Sequence, residues 1–253
     1  MNLRLRIIGA IFVAATGACH RNQAGNAADA ENALRVLFIG NSLTQSNDLP
    51  AIVQALAAAG SQRPLSYKAI LVPGSSLEDQ WNAGTAFGAI RGQRWDFVVL
   101  QQGPSSLPES RTNLLEYTRK FAKEIRAVGA TPALYMVWPE LTRPKAFDAV
   151  CESYRLAAKE VDGLLLPAGQ AWRAAWQREP KLELYSDGLH PTPAGSYLVA
   201  LTVYGQLYKR SPIGLPAKLV LQSPGAAIID IPVERARLLQ EGAAEAIEKF
   251  GKP

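Results

Sequence analysis

Histidine is nearly missing from this chain: 253 residues contain two, His20 and His190. Cysteine is as scarce, with Cys19 and Cys151 alone, so no disulfide framework can be built. Lysine and arginine outnumber acidic residues, 27 to 22, but never gather into a block. Charge scattered in this way gives no footprint for nucleic acid. No apolar run reaches the roughly 20 residues that a membrane-spanning helix needs, and neither a low-complexity tract nor an internal repeat is present. These absences argue against a disordered scaffold and against a polytopic membrane protein. What is there, 48% apolar and 19% charged residues, is the composition of a globular protein long enough to bury a full core.

The longest uncharged apolar stretch stands at the start. "MNLRLRIIGAIFVAATGAC" carries Arg4 and Arg6, then about a dozen apolar residues, then Cys19. A charged start, a short apolar centre and small residues at the exit predict a secretory signal peptide over 1–18. Cys19 after Thr16, Gly17 and Ala18 also resembles a bacterial lipobox, which would make Cys19 a lipidation site and the chain a periplasmic or envelope lipoprotein. The alternative is ordinary cleavage near Ala18 or around "NAADA", giving a secreted protein. Membrane attachment is expected through a lipidated Cys19 only. Cys151, in the helical pattern "DAVCESYRLAA", reads as a small core residue.

A polar linker is expected over 19–33, and the folded region begins with "LRVLFIG". This short apolar run ending in glycine is the pattern of a buried parallel strand. "LSYKAILVPG", "WDFVVLQQG", "TPALYMVWP" and "LLLPAG" follow as further strands. Helical patterns separate them: "DLPAIVQALAAAG", with Asp48 as candidate cap and Gly60 as stop, then "RTNLLEYTRKFAKEIRAVG" and "PKAFDAVCESYRLAAKEVDG". "PTPAGSYLVALTVYGQLYK" closes the series, its prolines expected in the first helical turn. The alternation predicts an α/β fold, doubly wound around a mainly parallel sheet. One domain is expected over 34–210, with 211–253 an extension on the same domain, loop-rich and then helical at "VERARLLQEGAAEAIEKF".

In open α/β sheets ligands bind beyond the carboxyl ends of the strands, which directs attention to "GNSLT", "PGSS", "QQGPSS" and "WPE". Gly40 and Asn41 before Ser42 would turn the chain sharply and expose the serine, although such a triplet can also be a plain strand-to-helix turn. A serine hydroxyl needs a base, and histidine suits that role. His190 in "YSDGLHPTPAG" is the one histidine inside the expected domain, and Asp187 stands three residues before it. A carboxylate at the far imidazole nitrogen would orient the ring and stabilise the imidazolium. The plain alternative is a surface histidine beside a helix start.

"FIGNSLT" and "YSDGLHPTPAG", in that order on an alternating α/β chain, resemble the first and last blocks of the SGNH, or GDSL-type, hydrolases. The resemblance covers roughly residues 34–210. It implies a three-layer, flavodoxin-like α/β/α fold, with Ser42 as nucleophile, His190 as general base and then acid, and Asp187 as orienting carboxylate. Asn41 stands where the family has aspartate. The resemblance also implies an oxyanion hole made of the Ser42 N–H, the Gly74 N–H in "LVPGSS", and a side-chain amide after the third strand. There the sequence departs, because "VVLQQGPSS" contains no asparagine. Gln102 is the preferred substitute, with Ser105 as alternative and Gln101 third.

Asn41 and Trp138 are expected to line the substrate cleft, Trp138 alternatively packing in the core. "LEDQW", with Trp81, could form a substrate wall, and Trp172 and Trp176 read as core. The implied function is a serine esterase that needs neither metal nor other cofactor and acts on a small-molecule or carbohydrate ester, with acetyl groups on carbohydrate or envelope material preferred. A lipolytic esterase, thioesterase or lysophospholipase is the alternative on the same residues. A catalytically weak carbohydrate-binding protein is the rival from another class.

Overall fold

The computed structural model describes residues 32–60, 62–223 and 227–252. The expected signal peptide, Cys19 and most of the 19–33 linker lie outside the described residues.

Five parallel strands form the central sheet: β1 (Leu34–Gly40), β2 (Leu65–Leu71), β3 (Phe97–Leu100), β4 (Thr131–Tyr135) and β5 (Leu164–Leu166), in the order β2-β1-β3-β4-β5. Leu37 of β1 lies opposite Lys68 of β2 on one side and Val98 of β3 on the other. The apolar character of each strand follows its place. β1 is flanked on both sides and buried along almost its whole length, whereas the edge strand β2 alternates and exposes Ser66 and Lys68. A charged residue on an edge strand also discourages pairing with another chain.

The helices are α1 (Ser42–Gln45), α2 (Leu49–Ala59), α3 (Leu77–Ala83), α4 (Thr85–Gly92), α5 (Pro108–Ala127), α6 (Phe147–Glu160), α7 (Ala168–Arg178), α8 (Pro193–Tyr208) and α9 (Val233–Phe250). α2 packs on α8, and α5 packs on α6. With the sheet between these pairs, the chain is a three-layer α/β/α doubly wound fold, as its alternating pattern predicts. Every residue of α8 from Ala194 to Leu207 is buried. It is apolar all round because α2 and α9 cover the sides that the sheet leaves free.

Three local expectations need correction. Asp48 precedes α2 but makes no side-chain cap; it sits in the left-handed region at φ 54°. Only Pro193 falls in the first turn of α8, where its missing N–H is harmless; Pro191 is still extended and bridges to Tyr185. The stretch after 211 holds a two-stranded antiparallel ribbon, β6 (Lys218–Val220) with β7 (Ile228–Asp230), before α9.

β1 is followed in space by β2 on one side and β3 on the other, so the connections diverge at their carboxyl ends. That divergence opens the crevice in which α/β sheets hold ligands. Ser42 stands directly after β1, and Gln101 and Gln102 directly after β3.

Candidate active site

The turn after β1 is shaped by Asn41. Its side-chain carbonyl accepts the Leu43 N–H at 3.0 Å, which caps α1 and leaves Ser42 as the first helical residue. The Ser42 N–H therefore belongs to the unpaired first turn of a helix.

The last block reaches Ser42 from the far end of the sheet. His190 Nε2 lies 2.8 Å from Ser42 Oγ, and His190 Nδ1 lies 2.7 Å from an Asp187 carboxylate oxygen. The other Asp187 oxygen accepts the backbone N–H groups of Leu189 at 3.0 Å and His190 at 2.8 Å. These hydrogen bonds, with the imidazole contact, hold the Asp187 carboxyl down at about 2. Gly188 between them takes φ 87°, a conformation that suits glycine.

The loop that carries this pair is anchored in several places. Tyr185 Oη donates to the Pro139 carbonyl at 2.6 Å, and the Leu141 N–H donates to the Gly188 carbonyl at 2.8 Å. Trp138 Nε1 donates to the Leu189 carbonyl at 3.0 Å. Asn47, at φ 54°, donates to the Pro191 carbonyl at 3.0 Å and to Ser196 Oγ at 2.8 Å, tying the segment of Ser42 to that of His190. Thr192 caps α8 by accepting the Gly195 N–H. A Cβ on Gly195 would stand 2.6 Å from the Leu184 carbonyl, so only glycine lets α8 start this close to the loop.

Gly74 follows β2 in a left-handed turn at φ 73° and lines the same cleft as Ser42 and Gln102. No acceptor among the described residues takes its N–H. The three candidates after β3 separate clearly. Gln101 is consumed: its carbonyl accepts the Asn41 N–H at 3.0 Å and the Thr44 hydroxyl at 2.7 Å, and its amide donates to Asn41 Oδ1 at 2.9 Å and to the Gln102 carbonyl at 2.7 Å. Ser105 gives its hydroxyl proton to the Gly103 carbonyl at 3.1 Å. Gln102 accepts the Leu77 N–H at 2.9 Å and donates one amide proton to Ser105 Oγ at 2.9 Å. No acceptor among the described residues takes its second amide proton.

Sequence reasoning missed the groups that hold this loop. Tyr154 of α6 donates to the Gln102 carbonyl at 2.6 Å and accepts the Gln102 N–H at 3.2 Å; complete burial drives its hydroxyl well above the ordinary tyrosine range. Ser153 donates to the Ser105 carbonyl at 2.7 Å and is itself held by Arg111 Nε at 2.9 Å. Both Ser153 and Tyr154 fall on the buried face of a helical pattern, where sequence suggests packing and gives no sign of a polar task.

Two expected cleft residues are corrected. Trp138 is fully buried and stacks on Trp172 at 3.7 Å, so it supports the histidine loop from beneath and does not line the cleft. Trp81 packs edge-on against Phe87 and Phe121, at 4.7 and 5.2 Å, and forms no wall. Asn41 lies in the cleft floor, buried, with its side chain engaged. Cys151 is buried in α6 and its thiol is pushed up to about 12, chiefly by burial, which leaves it inert at neutral pH. Among the described residues no three His, Cys, Asp or Glu side chains gather to hold a metal ion, and no helix is long and apolar enough to cross a membrane.

The cleft over Ser42 is an open space of about 580 Å³. Ser76, Ser106, Asn113 and Arg143 line it together with Leu43, Pro104, Leu107 and Leu189, and the surface they present is more apolar than polar.

No family profile matches the chain, and no curated protein sequence does. Solved structures do. An SGNH hydrolase, so assigned, from Slackia heliotrinireducens is 28% identical, covering 70% of this chain and all of its own, with a TM-score of 0.61. A DUF4886 family protein from Bacteroides uniformis is 20% identical over 87% of this chain and 96% of its own, with a TM-score of 0.67. An acetylxylan esterase from Geobacillus stearothermophilus is 15% identical over 68% and 93%, with a TM-score of 0.54. The latter two likenesses are of fold.

Proposed function

We propose that the chain, whose fold and motif blocks match those of the SGNH (GDSL-type) ester hydrolases, is a serine esterase using Ser42, His190 and Asp187. The observation that carries the reading is the continuous contact from Ser42 Oγ to His190 Nε2, 2.8 Å, and from His190 Nδ1 to Asp187, 2.7 Å. Ser42 Oγ attacks the ester carbonyl while His190 Nε2 takes its proton. Asp187 fixes the ring with Nδ1–H toward itself and stabilises the imidazolium. The carbonyl oxygen, now an alkoxide, is held by the Ser42 N–H, the Gly74 N–H and the free amide proton of Gln102. His190 then protonates the leaving alcohol, and water repeats the sequence on the acyl-enzyme to release the acid.

The preferred substrates carry short acyl groups, acetyl foremost, on carbohydrate or envelope material. Hydrogen-bonding side chains at the cleft, among them Ser76, Ser106, Asn113 and Arg143, support a carbohydrate alcohol. The acetylxylan esterase among the structural neighbours is in keeping with it. The reading also includes export, with Cys19 lipidated or removed, on the strength of the charged and apolar N-terminal pattern.

Hydrolysis of p-nitrophenyl esters of increasing acyl length tests both levels. Activity is expected to be highest on acetate and to fall with chain length, and Ser42→Ala is expected to reduce it to background. Wild-type activity in Ser42→Ala would overturn the catalytic assignment, and a maximum at long acyl chains would favour a lipolytic enzyme.

A further inference from the structure

Behind Ser42 the protein buries carboxamides where acidic side chains could have stood. Asn41, Gln80, Gln101 and Gln102 are each at least nine-tenths buried. Two of them, Asn41 and Gln101, are bonded reciprocally: the Asn41 N–H donates to Gln101 Oε1, and Gln101 Nε2 donates back to Asn41 Oδ1, at 3.0 and 2.9 Å. Each amide then reaches outward with its remaining donor. Asn41 Nδ2 donates to the Ser75 carbonyl at 3.0 Å, one residue beyond Gly74. Gln101 Nε2 donates to the Gln102 carbonyl at 2.7 Å.

We propose that Asn41 and Gln101 act as an amide clamp that sets the three oxyanion donors relative to one another. They are positioning residues, since neither is free to touch the substrate. The clamp grips each donor at its neighbour: Asn41 is joined covalently to Ser42, its Nδ2 holds the Ser75 carbonyl beside Gly74, and Gln101 holds the backbone of Gln102. This inference rests on the esterase reading above.

The clamp explains why asparagine replaces the family's aspartate here. The side chain at 41 must accept on one atom, from Leu43 and Gln101, and donate on the other, to Ser75. An amide does both at every pH. A carboxylate at 41 would set an unprotonated oxygen against the Ser75 carbonyl in a buried position, which is costly. A carboxylic acid could still donate there. Asn41→Asp is therefore expected to behave as a clamp that opens when the carboxyl ionises.

The test compares kcat and KM of wild type and Asn41→Asp on p-nitrophenyl acetate from pH 5 to 9, followed at the isosbestic wavelength. Taking the ratio of their kcat values removes the pH dependence that the two enzymes share. At high pH the variant is expected to lose about 10–10²-fold in kcat, less than the 10²–10³ typical of deleting an oxyanion donor, with KM changed little. The kcat ratio of variant to wild type should climb back toward one as pH falls. Gln101→Glu, which presses a carboxylate against Asn41 Oδ1 and the Gln102 carbonyl, should show the same climb.

A folded variant whose ratio is flat with pH, or whose loss lies in KM, overturns the clamp while leaving the esterase intact. Should Asn41→Asp not fold, Gln101→Glu decides; if neither folds, the amides serve stability alone and the proposal fails. An inactive wild type overturns the esterase reading first, and this one with it.

Discussion

At the scale of single residues, protons and donors decide what can be measured. Asp187 is held at about 2 by the backbone N–H groups of His190 and Leu189 and by the imidazole. Its lowered value means that the carboxylate persists as pH falls, and that its contribution to the folded state is present above the ordinary carboxyl value and lost only on approaching pH 2. Above about pH 4 Asp187 is therefore expected to contribute no proton to the acid limb of the activity profile. The logarithm of kcat/KM should rise with a slope of one on that limb; a slope of two would show Asp187 titrating as well. Asp187→Asn should lower kcat by about 10³–10⁴, as expected when the ring loses its correct tautomer. The third oxyanion donor is separable in the same way. Gln102→Ala should cost about 10²–10³ in kcat, whereas Ser105→Ala, which removes only the acceptor that steadies Gln102, should cost about tenfold, the worth of one hydrogen bond. A larger loss from Ser105→Ala would make Ser105 the donor.

At the scale of elements, the sheet was readable because buried parallel strands are short apolar runs and their helices carry a 3.6-residue period. β1 and α9 show those patterns undiluted. The helices α3 and α4 were hidden, since "LEDQWNAGTAFGAIRG" is short, broken at Gly84 and carries no long periodic face. Ser42, Asp187 and His190 were legible because histidine is so rare that only one pairing remained. The loop after β3 was legible only as a set of alternatives: hydrogen-bond partners, which sequence does not state, favour Gln102 over Gln101 and Ser105. Its anchor, Tyr154, was invisible for the same reason, being one more aromatic on a buried helix face. Tyr154→Phe tests that anchoring. It leaves the Gln102 N–H without a partner in the interior and the Gln102 carbonyl with Gln101 Nε2 alone, at a cost of about 1–3 kcal/mol. The urea midpoint should fall accordingly and kcat should fall with it, because Gln102 loses its fixed backbone. An unchanged midpoint would mean that α6 merely packs beside the loop.

At the scale of the whole molecule, residues after 210 complete the core as well as extending the chain. α9 buries Ala236, Leu239, Ala243 and Ala246 against α7 and α8. Its Gly242 lets the backbone of Ala175 approach so closely that an added Cβ would stand 3.2 Å from the Ala175 nitrogen. Polar bonds close the same seam. Gln240 reaches Tyr197 Oη at 3.0 Å and the Leu215 carbonyl at 2.7 Å, and Gln206 of α8 bridges the Leu165 carbonyl of β5 to the Gly251 carbonyl, both at 2.6 Å. α8 begins three residues after His190, so whatever seats α8 also seats His190. Deleting 233–253 would bare the apolar face of α8 and take one partner each from Gln206 and Tyr197, which keep the Leu165 and Pro216 carbonyls. Burying one large apolar side chain is worth about 1.5–3 kcal/mol, and the deletion removes Leu239 while baring the apolar faces of α7 and α8, so the loss is on the order of 5–10 kcal/mol, as large as the whole stability of a typical domain. The truncated chain is expected to lose cooperative thermal unfolding and near-UV circular dichroism together with activity. A truncated chain that stays monomeric, melts cooperatively and hydrolyses p-nitrophenyl acetate would show that α9 covers a fold already complete without it, and that His190 is held by its own loop alone.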